Sequence, residues 1–124
     1  MMWTTNFSRP ADVRALRHHV VDQLAGEGVA GADDVTLMVS ELVTNAIVHA
    51  TEPRSLAIEV TPDAVIVEVS DGSHVVPVVR AVDPNRLGGN GMRIVHELSS
   101  AWGVDVTQGG KTVWFRQDRP SAPA

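Results

Sequence analysis

Three polar side chains recur at one spacing in the stretch Glu41-Leu42-Val43-Thr44-Asn45-Ala46-Ile47-Val48-His49-Ala50. They are Glu41, Asn45 and His49, and at intervals of four residues each stands one turn above the last on a helix. A carboxylate can take a proton from a reacting group. A carboxamide oxygen suits a hard cation, and an imidazole can donate or accept a hydrogen bond. Around the three lie Val35, Leu37, Met38, Val39, Leu42, Val43, Ala46, Ile47, Val48 and Ala50. That surround predicts a largely buried helix starting near Asp34. Buried and unpaired, each polar group would cost roughly 1–3 kcal/mol or more. Either protein groups satisfy them or they line a polar pocket.

The elements that must position these residues are legible from periodicity. Residues 2–7 alternate as a short strand with Trp3, Thr5 and Phe7 on one face. Ser8 has the chemistry of an N-cap and Pro10 fits the first turn of a helix that carries Val13, Leu16, Val20 and Leu24. Gly26 and Gly28 supply its stop. The neighbours His18 and His19 point about 100° apart on that helix, which suits a solvated surface better than a shared metal. Thr51-Glu52-Pro53 ends the second helix. Leu56–Val60 and Val65–Val69 read as a hairpin around Thr61-Pro62-Asp63-Ala64, and Asp71-Gly72 ends its second strand. Residues 72–90 are broken by Pro77, Pro84, Gly88 and Gly89, a loop length often associated with a lid. A third helix opens near Asn90-Gly91, and residues 102–106 and 112–116 form a second hairpin around Gln108-Gly109-Gly110. This order predicts an α+β fold: a two-layer sandwich whose mostly antiparallel mixed sheet is covered on one face by helices.

Composition narrows the function classes. A chain of 124 residues with 44% apolar content fits one domain with a true core, placed at residues 1–117 with a disordered tail at 118–124. No apolar run is long enough to span a bilayer, and the N-terminus lacks the pattern of a secretory signal. The absence of cysteine excludes disulfides and thiolate metal sites and makes a cytoplasmic location the expectation. A net charge of −5 with no basic cluster argues against direct nucleic-acid binding.

Two motifs fail on inspection. Gly110-Lys111-Thr112 ends like a phosphate-binding P-loop, but Asp105 stands where that motif needs glycine, and a strand follows instead of a helix. Gly89-Asn90-Gly91 with Ile94 lacks the last glycine of a dinucleotide fingerprint and the strand before it. What survives is the ordered set of Glu41/Asn45/His49, Asp71-Gly72, Gly89-Asn90-Gly91 and Thr112. Over about residues 3–117 this set resembles the GHKL ATP-binding superfamily. The stretch from Glu41 to Ala50 is similar to its N-box, and Asp71 to the aspartate of its first glycine box. Gly89–Val95 is similar to the second glycine box, and Gly109–Phe115 to the closing hairpin. Within the superfamily the chain looks most like small anti-sigma-factor serine/threonine protein kinases of actinobacterial type. One departure stands out: the fuller first glycine box reads Asp-x-Gly-x-Gly, whereas here Asp71 is followed by Gly72, Ser73 and His74.

The resemblance implies ATP and Mg²⁺ as ligands. It implies nucleotide contacts from Asn45, His49, Asp71, Gly72, Gly89, Gly91, Met92 and Thr112, with Asn45 as the metal ligand and Glu41 as the catalytic base. An ionised Asp71 is acceptor-only, so it would accept from the adenine 6-amino group and repel the 6-carbonyl of guanine. Thr112 would assist it, and the helix N-terminus at Gly91 would face phosphates. The implied partners are a sigma factor and an anti-sigma-factor antagonist, with a homodimer involving the strand Trp3–Phe7. The alternative is an ATP-binding regulatory protein that acts by docking alone.

Overall fold

Apolar residues separated by one position along residues 55–71 and 110–118 must share a sheet face, and that face is where the core forms. The computed structural model describes residues 1–77, 79 and 91–120. Its elements run β1 (Met2–Asn6), α1 (Asp12–Gly26), α2 (Ala32–His49), β2 (Ser55–Val60), β3 (Ala64–Asp71), α3 (Gly91–Leu98), β4 (Ala101–Thr107) and β5 (Gly110–Asp118). The sheet order is β1-β2-β3-β5-β4, and every neighbouring pair is antiparallel. The described strands thus form a wholly antiparallel sheet, and the mixed character expected from sequence is not found among them.

Register decides what each face carries. Val67 pairs with Phe115 and Val69 with Val113, and all four are buried. They meet Leu16, Val20 and Leu24 of α1 and Val35, Met38, Val39, Leu42, Val43 and Ala46 of α2 in one core. Burying each of the larger side chains contributes about 1.5–3 kcal/mol. The alternate residues of β3 and β5, among them Glu68 and Arg116, lie on the opposite, helix-free face. The result is the two-layer sandwich, with α2 at its centre packed against α1, α3 and β3. Among the described residues, no helix is long and apolar enough to cross a membrane.

Several local expectations change. Ser8 does not cap α1. The N-cap position is Ala11, and the Asp12 carboxylate instead reaches back to accept from the N–H groups of Ser8 and Arg9, both at 2.9 Å. The α2 helix is buried along one side only. Leu37, Thr44, Val48 and His49 are exposed, because no element covers that side among the described residues. His19 is not merely a solvated surface residue: its ring stacks on Trp3 with centroids 4.4 Å apart. The last strand passes residue 117, and Arg119 donates to the carbonyls of Thr61, Glu27 and Gly28. Residues 121–124 and most of the 72–90 loop lie outside the described residues.

The end of α2 is held by a residue that no sequence pattern marks. The last carbonyls of a helix lack intrahelical donors. Arg54 supplies them: its Nε donates to Ala46 O at 2.7 Å, and its Nη2 donates to Ala50 O at 2.9 Å. A further bond from Nη1 to Ser8 O at 3.2 Å ties in the chain ahead of α1. The Arg54 side chain is only 10% exposed, so these charge-assisted bonds are shielded from water.

Arg54→Ala should therefore lower stability by about 2–4 kcal/mol in urea unfolding. Arg54→Lys should recover little, since an ammonium cannot span the same carbonyls. The Asp12 carboxyl titrates below its ordinary value because it accepts from the Arg9 and Ser8 amides. A depressed carboxyl pKa stabilises the fold above the unfolded-state value and loses that contribution as pH falls through the folded value. Asp12→Ala should thus be less stable than the wild type at neutral pH, and the two unfolding curves should converge in acid.

Candidate functional site

The polar ridge of α2 meets the start of α3. Glu41 and Asn45 are half-buried there, and Gly91 is buried. A Cβ placed on Gly91 would lie 2.8 Å from Glu41 Oε2 and 3.3 Å from Asn45 Nδ2. A side chain at this position would displace the Glu41 carboxylate from the start of α3. Among the described residues the N–H groups of Gly91, Met92 and Arg93 have no intrahelical acceptors, and the helix dipole favours an anion at that end. A proton acceptor, an amide and an anion-favouring helix start thus converge on one place.

Asp71 lies at the end of β3, on the helix-covered face. It is joined to the end of α2 through the next residue: Gly72 N donates to Thr51 O at 2.8 Å, and a Cβ on Gly72 would collide with the Glu52 carbonyl. Gly91 thus packs on α2 itself, and the residue after Asp71 is tied to the chain just past the end of α2. The Asp71 side chain is almost wholly buried. Its Oδ1 accepts from Ser73 N at 2.8 Å and from Lys111 Nζ at 3.0 Å. Lys111 is 5% exposed and Asp71 6%, so this is a desolvated ion pair. No hydrogen bond among the described residues uses the other carboxylate oxygen of Asp71.

The register explains why Lys111 is there. Asp71 stands directly across from Lys111, and Ser70 across from Thr112. Neighbours along a strand point to opposite faces. Thr112 therefore points away from the side that Asp71 occupies, and its Oγ1 bonds to Ser70 Oγ at 2.8 Å. The sequence expectation that Thr112 assists Asp71 is corrected: the side chain beside Asp71 is that of Lys111. Gly110 makes the approach possible. Its φ is +150°, and a Cβ there would collide with the Asp71 carbonyl oxygen. His74 Nε2 lies 3.0 Å from Thr107 O and 3.2 Å from Gln108 O, which ties the segment after β3 to the β4–β5 turn.

The remaining expected residues divide. The Met92 side chain is 4% exposed and belongs to the core, so only its backbone N–H is available to a ligand. His49 is exposed at the last residue of α2 and makes no hydrogen bond to the other expected residues among those described. Gly89 lies outside the described residues. No group of three or more His, Asp or Glu converges as a metal cage among the described residues. A cation that takes one protein oxygen and several from a ligand still fits Asn45, which is Mg²⁺ chemistry.

With this geometry in place, the family follows. The family model for the histidine kinase-like ATPase domain matches residues 7–117. The chain belongs to that family, and its fold is an ATP-binding one. No curated protein matches the chain.

Because the Asp71–Lys111 pair is desolvated, breaking it from one side strands a charge. Lys111→Met should lower stability by about 3–5 kcal/mol in chemical unfolding, whereas Asp71→Asn combined with Lys111→Met should recover most of that loss.

Proposed function

We propose that the protein is an ATP- and Mg²⁺-dependent serine/threonine protein kinase that acts as an anti-sigma factor. It binds a sigma factor and phosphorylates the antagonist that would release it. The observation that carries this reading is the packing of Gly91 against Glu41 and Asn45, which sets a carboxylate and an amide beside the anion-favouring start of α3. The Asn45 oxygen would hold Mg²⁺, which supplies charge neutralisation to the phosphates. The α3 N–H groups would hold phosphate oxygens. Asp71 would accept from the adenine amino group through its remaining oxygen.

Glu41 stands one turn before Asn45, where it can take the proton of a hydroxyl that attacks the terminal phosphoryl group. A serine on a partner protein in that place makes the protein a kinase, and water makes it an ATPase. Exposed His49, one turn after Asn45, would hydrogen-bond near the nucleotide. The homodimer reading is supported by β1, which forms one edge of the sheet and offers backbone groups for strand addition.

The test is transfer from labelled ATP to candidate antagonist proteins. Glu41→Ala should reduce transfer by roughly 100-fold or more while leaving ATP affinity within a few-fold. Transfer at the wild-type rate in that variant removes Glu41 as the base. Tight ATP binding with no labelled product from any candidate assigns the protein instead to regulation by docking.

A further inference from the structure

The buried ammonium of Lys111 is not fully used. It has three donors, yet among the described residues it makes one hydrogen bond, to Asp71 Oδ1. It shares a sheet face with Asp71 and directly opposes it in register. A base-reading pocket built on Asp71 alone presents only acceptors. It selects a purine with a 6-amino group and repels one with a 6-carbonyl. A pocket built on Asp71 and Lys111 presents an acceptor and a donor side by side. The ammonium also neutralises the carboxylate that would repel a carbonyl oxygen.

We propose that Lys111 is a specificity-determining residue of the nucleotide site, which admits 6-carbonyl purine nucleotides as well as ATP. The inference rests on the nucleotide-site reading above. A 6-amino purine uses the free oxygen of Asp71. A 6-carbonyl purine uses an unspent donor of Lys111, and its ring N–H donates to Asp71. In both alternatives the 6-substituent of the base has a partner of the right kind, which is the condition for tolerating either in a buried site. Thr112 cannot supply this donor, since it lies on the other face and is bonded to Ser70.

Calorimetric titration of the wild-type protein with ATP, GTP and ITP in the presence of Mg²⁺ tests the proposal without any variant. ITP isolates the 6-carbonyl because it lacks the 2-amino group. All three should bind within about tenfold of one another. Lys111→Met, where circular dichroism shows it folded, should weaken GTP and ITP by at least a further tenfold relative to ATP. Rejection of GTP and ITP by 100-fold or more in the wild type, with ATP bound, overturns the role of Lys111 and leaves the nucleotide site standing. An unchanged ratio in folded Lys111→Met also overturns that role. Failure of all three nucleotides to bind overturns the nucleotide site itself, and the role of Lys111 with it.

Discussion

The first residue of α3 packs directly on the Glu41 and Asn45 side chains, so a Cβ there would push the Glu41 carboxylate aside. That close approach is the constraint on which the site depends. It fixes how α3 sits against α2, and so brings the N–H groups of Gly91, Met92 and Arg93 beside Glu41 and Asn45. The approach in turn needs α2 held in place. Its apolar side sits on β3 and α1, and the Arg54 guanidinium closes its last turn. The polar ridge is then half-buried, with water on one side and protein on the other. This answers the problem posed by polar residues on an apolar helix: Glu41 and Asn45 are at a seam between two helices, and not in the core.

The second cluster is set by strand register. A one-residue change in reading a strand exchanges its two faces. The tight turn at Gln108-Gly109 places Gly110 against Thr107, and the separate pairing of β5 with β3 sets Lys111 against Asp71. A buried Lys–Asp pair is a costly way to stabilise a fold, since apolar residues of similar size often do as well. Such a pair is more readily understood where a ligand uses its charges.

Much of this was legible in the sequence. The helix carrying Glu41 and Asn45, both hairpins and the helical start at Gly91 follow from periodicity and turn residues, which are local signals. Resemblance then ordered the parts. What the sequence did not reveal depends on contacts between distant residues. Arg54 reaching back to carbonyls of α2 has no local signature, nor has Trp3 stacking on His19. The choice between Lys111 and Thr112 turned on the pairing of β3 with β5, and a motif read without its register favoured the wrong neighbour. Met92 sits in a glycine-rich motif, but its apolar side chain fills the core, which leaves its backbone N–H as the group that could meet a ligand.

The most direct measurement is a crystal structure of the protein with a non-hydrolysable ATP analogue and Mg²⁺. The account predicts the adenine amino group on Asp71, the metal on the Asn45 oxygen, and phosphate oxygens at the first turn of α3. A nucleotide bound elsewhere, or bound here without touching Asp71 and Asn45, would contradict it.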